Sequence, residues 1–64
     1  QPEDGYNLLW LGRTQRELGE HEAALDALNR ALERRVPDPS VYFWRALTFL
    51  TLERFSDALA DLDH

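Results

Sequence analysis

A pattern that returns one helical hairpin further along constrains this 64-residue chain more than any other feature. Sliding Gly5–Arg30 onto Pro39–His64 matches six of 26 pairs identically: Trp10/Trp44, Thr14/Thr48, Leu18/Leu52, Ala24/Ala58, Leu25/Leu59 and Leu28/Leu62. Residue class is kept at Leu8/Tyr42, Leu9/Phe43 and Gly12/Ala46. The matches fall on the apolar and small positions that set how helices pack. A fixed period of roughly 20 to 50 residues marks a stacked array whose units bury a continuous core only together. Arrays of this kind more often bind proteins than transform substrates, so the period bears on function as well as on fold.

Size limits what the array can do alone. A chain this short buries only about 60% of its unfolded surface. With no cysteine, disulfides and thiolate metal sites are excluded and the redox compartment cannot be read. A net charge of −5, spread along the chain, argues against a nucleic-acid surface, which needs a basic patch. No apolar run approaches the roughly 18 residues that span a bilayer. The polar, acidic start at Gln1–Asp4 carries no secretory signal. A chain that begins at Gln and contains no Met reads as a piece of a longer protein. All seven basic residues are Arg, which reads as codon bias in a GC-rich genome; selection for two-pronged Arg contacts is the alternative.

Four helical segments are predicted. From Tyr6 to Leu18, Leu8, Leu11, Gln15 and Leu18 recur at spacings of three and four, broadened by Leu9 and Trp10. Gly19 then supplies the left-handed residue that ends a helix. A second helix runs from His21 to Arg35 with Ala24, Leu25, Leu28, Ala31 and Leu32 on one side. Asp26 and Arg30 pair across one of its turns, and Arg34 and Arg35 complement its dipole. Val36-Pro37-Asp38-Pro39 breaks the chain, and Asp38 is placed to cap the next helix. That third helix, Pro39 to Leu52, shows Tyr42, Ala46, Phe49 and Leu50. The fourth, from Phe55 onward, shows Ala58, Leu59 and Leu62. Links this short make neighbouring helices antiparallel, giving two helical hairpins in series.

These residues resemble the tetratricopeptide repeat, a helix–turn–helix unit of about 34 residues. Leu8, Leu11-Gly12, Ala24, Leu28 and Ala31 follow its spacing of large and small residues. Tyr42, Ala46, Phe49, Phe55, Ala58 and Leu62 repeat it. The resemblance implies an all-α fold of two tandem antiparallel hairpins forming a short right-handed α-solenoid. It makes residues 1–64 a single domain, with repeat one at 5–38 and a truncated repeat two at 39–64. Small residues at Gly12, Ala46, Ala24 and Ala58 would let backbones approach closely, with bulky neighbours filling the gaps. The chain departs from the pattern at Gln15, where the family has a large aromatic. It departs again at Glu53, which stands where the first unit has Gly19 and is expected to strain or reshape that turn. Pro37 comes one residue late.

Catalytic chemistry finds little support. The hydroxyl residues have no neighbouring His and acid, and Gly5, Gly12 and Gly19 are isolated rather than a phosphate loop. Asp57, Asp61 and His64 share a helix face by their spacing, so a weak metal site is conceivable, but a solvated outer face is the plainer reading. His21 lies between two glutamates that point elsewhere on the helix, and fits better as a helix-start residue. Trp10 and Trp44, equivalent by the period, read as a shared packing position between helices. The expectation is therefore no enzyme, no metal and no cofactor.

In tetratricopeptide proteins the first helix of each unit lines a concave groove that receives a peptide or helix. Carried over by the resemblance, that groove would be lined by Tyr6, Leu9, Arg13, Arg16 and Glu17 from the first unit. Ser40, Phe43, Leu47, Leu50 and Thr51 would line it from the second. The Asn and Lys pattern of members that clamp chaperone C-terminal carboxylates is not present. The partner implied is a protein or peptide, with no nucleic acid and no membrane, and a cytoplasmic location is favoured. A homo-oligomer is also expected, because Leu59 and Leu62 have no following helix to cover them. A self-assembly unit working through exposed repeat ends is the alternative reading.

Overall fold

The computed structural model describes residues 4–63. Among them the chain is all-helical: α1 (Gly5–Glu17), α2 (His21–Glu33), α3 (Ser40–Thr51) and α4 (Phe55–Leu62). Each helix lies within a residue or two of its expected span. His64, and with it part of the expected Asp57–Asp61–His64 face, lies outside the described residues.

The same local chemistry starts and stops the helices. Asp4 accepts from the Tyr6 amide at 2.9 Å to open α1, and Asp38, one period later, accepts from the Ser40 amide at 2.9 Å to open α3. Three helices end in one motif, in which a left-handed residue lets two backbone amides turn back onto the last free carbonyls. Gly19 (φ 83°) and Glu20 donate to Arg16 and Gln15, and Glu53 (φ 62°) and Arg54 donate to Leu50 and Phe49. Arg35 (φ 56°) and Val36 donate to Leu32 and Ala31. The turn at Glu53 thus has the form of the turn at Gly19 rather than a different one; the strain expected there lies in holding an L-residue left-handed.

Helix α1 packs on α2, α3 on α4, and α3 also lies against α2 and touches α1, whereas α4 lies against α3 alone. Two clusters form the core. Leu8 and Leu9 of α1 and Leu28 and Ala31 of α2 enclose Val41 of α3. Leu25, Ala46, Phe49 and Ala58 join α2, α3 and α4. Helix α3 belongs to both, so it ties the two helix pairs together. Burying a side chain such as Val41 contributes about 1.5–3 kcal/mol. The close approach expected at Gly12 is present: a Cβ there would stand 2.8 Å from Leu28 Cγ and 3.3 Å from the Ala24 carbonyl oxygen.

Several expected core positions are not core. Leu11 and Leu18 are exposed, and α1 buries Leu8, Leu9 and Gly12 instead, because α2 and α3 cover one side of it and nothing described covers the other. Val41 and Thr48, absent from the expected α3 stripe, are fully buried, while Leu50 is exposed. Thr48 is tolerated because its hydroxyl donates to the Trp44 carbonyl at 2.8 Å. The described residues span 35 × 26 × 13 Å, a slab thin enough to leave large apolar side chains on its surface.

Candidate interaction face

Helices α1 and α3 present neighbouring faces, and two indoles with one guanidinium join them. Trp10 and Arg13 are three residues apart on α1, hence on one face. The Arg13 guanidinium carbon lies 4.4 Å from the centre of the Trp10 ring and 4.5 Å from that of Trp44 on α3. Arg16, one turn further on, lies 5.8 Å from the Trp44 ring. Phe43 meets Trp44 edge to face, with centres 5.6 Å apart and planes at 75°. Arginine stacks on aromatic faces because its charge is spread over a weakly hydrated plane.

The expected groove residues divide into surface, partly covered and core positions. Tyr6, Glu17, Phe43, Leu50 and Thr51 are exposed, and Arg13, Arg16, Ser40 and Leu47 are half-buried. Leu9 is only 4% exposed and belongs to the core with Leu8, Leu28 and Val41, so it cannot line an open groove in this chain. Ser40 is occupied with opening α3. The Thr51 hydroxyl donates to the Leu47 carbonyl at 3.1 Å. The shared packing position expected of Trp10 and Trp44 holds for Trp44, which packs against the core, but not for Trp10, which is 58% exposed. Helix α3 has α1 beside it to cover its indole, while nothing described precedes α1. Both indoles therefore join the candidate face. Their separation by one full period, and the spacing of three between Trp10 and Arg13, carried that signal in the sequence.

The second polar cluster is built around Arg45, which sequence reasoning missed. Its Nε donates to Asp61 Oδ2 at 2.7 Å, Nη2 donates to Asp61 Oδ1, and Nη1 donates to Asn29 Oδ1 at 2.9 Å. Helices α2, α3 and α4 are thereby linked. The hydrogen bond to Asp61 holds the Arg45 guanidinium above its ordinary pKa. This corrects the solvated face expected of Asp61, whereas Asp57 is exposed as expected. Asp61 is buried under Arg45, and Asp57 pairs with Arg54 at 2.9 Å. Among the described residues no three His, Cys, Asp or Glu side chains are grouped to hold a metal. Among the described residues, Gln15 Oε1, Arg16 Nε and His21 Nδ1 are buried without a hydrogen-bond partner.

A recess of about 320 Å³ opens between α3 and α4, lined by Pro39, Tyr42, Phe43, Asp61 and Leu62. Tyr42, Phe43 and Leu62 stand one period after Leu8, Leu9 and Leu28, the residues that enclose Val41. The recess is therefore the second pair's counterpart of the seat that the first pair offers to α3. Beside it, α4 exposes Phe55, Leu59 and Leu62. Among the described residues no helix is long and apolar enough to cross a membrane. The chain matches no protein-family model, no curated protein and no solved structure.

Proposed function

We propose that the chain is a noncatalytic protein-interaction module of tetratricopeptide type. In this reading its two helix pairs are antiparallel hairpins in a short right-handed solenoid that holds a peptide or helix of a protein partner on the α1/α3 face. The observation that carries the reading is the run of exposed aromatic and apolar side chains on these two helices: Tyr6, Trp10, Phe43 and Leu50. Aromatic anchors beside an Arg are the residues that contribute most at protein interfaces, and an amphipathic helix laid in such a strip is a common recognition mode.

Selecting displayed peptides against the chain and titrating the winners tests this. Phe43→Glu should weaken them at least tenfold, about 1.4 kcal/mol, with helicity by circular dichroism unchanged. Selected peptides indifferent to Phe43→Glu would remove the α1/α3 face from recognition.

A second reading, self-assembly through the ends of the stack, draws on the recess between α3 and α4 and on exposed Phe55, Leu59 and Leu62. A neighbouring copy seated there would cover apolar surface as α3 covers the first pair. Sedimentation of variants separates it from the first reading, because association would then depend on Leu59 and Leu62 and not on Trp10, which lies on the α1/α3 face outside that recess.

A further inference from the structure

Five of the seven arginines fall into two groups by what they meet. Arg30, Arg45 and Arg54 each meet a carboxylate, those of Asp26, Asp61 and Asp57. Arg13 and Arg16 meet aromatic rings, and among the described residues neither forms an ion pair or a hydrogen bond. The chain carries 12 acidic residues against seven basic ones, so a cation left without a carboxylate is not explained by a shortage of acids. Among the described residues the Arg16 Nε is buried without an acceptor, while the rest of the side chain is partly exposed and can turn toward a partner. Stacking over two indoles orders the Arg13 side chain before any ligand arrives, which lowers the entropic cost of using its N–H groups. The carboxyl of Asp38 feels the Arg13 charge, but its hydrogen bonds go to Ser40.

Resting on the reading of the α1/α3 face as partner-facing, we propose that Arg13 and Arg16 form a subsite for a side-chain carboxylate. The partner is an acidic segment that sets an Asp or Glu against the two guanidinium groups and an apolar neighbour against Trp10 and Phe43. A carboxylate fits because it accepts two parallel N–H bonds from one guanidinium. The flanking rings supply apolar contact and shield the ion pair from water, which strengthens it. The recognised unit is therefore an acidic residue within an apolar surface; a wholly acidic run would also be repelled by the net charge of −5.

Two blocked amphipathic peptides test this, one of leucine and glutamate and one with every glutamate replaced by glutamine. Binding is read by tryptophan fluorescence, since Trp10 and Trp44 are the only two tryptophans in the chain and both touch Arg13. The glutamate peptide should bind wild type at least about fivefold more tightly. That advantage should shrink as salt rises from about 50 mM to about 500 mM, and should vanish in Arg13→Gln. Equal binding of both peptides overturns the carboxylate subsite while leaving the face as a binding surface. Binding of neither overturns both. The wild-type comparison decides the matter even if Arg13→Gln folds poorly, and Arg16→Gln gives a second variant with no indole sandwiched against its charge.

Discussion

Arg45 of α3 holds the carboxylate of Asp61 of α4, and the two stand one period after Leu11 and Ala27. The first helix pair meets this point with an apolar and a small side chain, the second with an ion pair. Asp61 is 4% exposed, so the carboxylate has left water almost completely. A buried pair of this kind is worth little more than well-packed apolar residues, yet removing one member strands a charge.

The repeat therefore supplies its own double mutant. Arg45→Leu should destabilise the fold by roughly 3 kcal/mol, the low end for a broken buried pair because Arg45 is partly exposed. Adding Asp61→Ala, which installs the first pair's residues at both places, should recover at least about 1 kcal/mol. Urea denaturation of the two singles and the double measures the coupling. Strictly additive losses would mean that Arg45 and Asp61 act independently, against the geometry.

Glu53 should yield to glycine with profit to the fold. Its φ of 62° lies in the left-handed region, where Gly19 (φ 83°) stands in the equivalent turn. A non-glycine residue there costs about 1 kcal/mol, and its side chain is exposed. Glu53→Gly is expected to raise the melting temperature by roughly 4–8 °C, and Gly19→Ala to lower it. A drop in Glu53→Gly would point to an unrecognised role for the carboxylate.

What the sequence made legible was the helix count, the turns and the small-residue contacts. Gly19, Asp38, Gly12 and Ala24 each signal through chemistry local to a few residues. Helix faces were harder, because periodicity says that a stripe exists but not which neighbours arrive to bury it. Leu11 and Leu18 satisfy the spacing and stay exposed, whereas Val41 and Thr48 break it and are buried, since α3 is enclosed from two sides and α1 from one. The same cause unites the site errors. Leu9 went into the groove by the repeat's spacing, but in this chain it is core. Asp61 looked solvated because its partner Arg45 lies 16 residues away on another helix. The period makes Trp10 equivalent to Trp44 and so suggests a shared packing role, but only Trp44 has a preceding described helix to cover it.

Acid should weaken the fold partly through Asp38. Its carboxyl lies below the ordinary value of 3.8, chiefly because the Ser40 backbone amide donates to it, and then through the Ser40 side chain. A carboxyl lowered by folding stabilises the native state above the ordinary range. That stabilisation disappears as pH falls through the lowered native value. Asp38→Asn keeps an acceptor for the helix start but no titrating charge. Its melting temperature should decline less than that of wild type between about pH 5 and about pH 2. Parallel acid limbs would show that capping of α3 does not depend on ionisation.

Self-association is the expectation most exposed to failure. Leu59 is 63% exposed on a helix that touches only α3, and it stands beside a recess that repeats the seat of Val41. Contact between unlike ends of the stack would be heterologous, so assembly need not stop at a dimer. Wild type should therefore sediment as more than a monomer at micromolar concentrations, with weight-average mass rising with concentration. Leu59→Glu places a charge on that surface without touching either core cluster, so it should return the chain to monomer with helicity intact. A wild-type monomer persisting to about 1 mM, where association would be weaker than about 4 kcal/mol, would leave the α4 surface without a role in assembly.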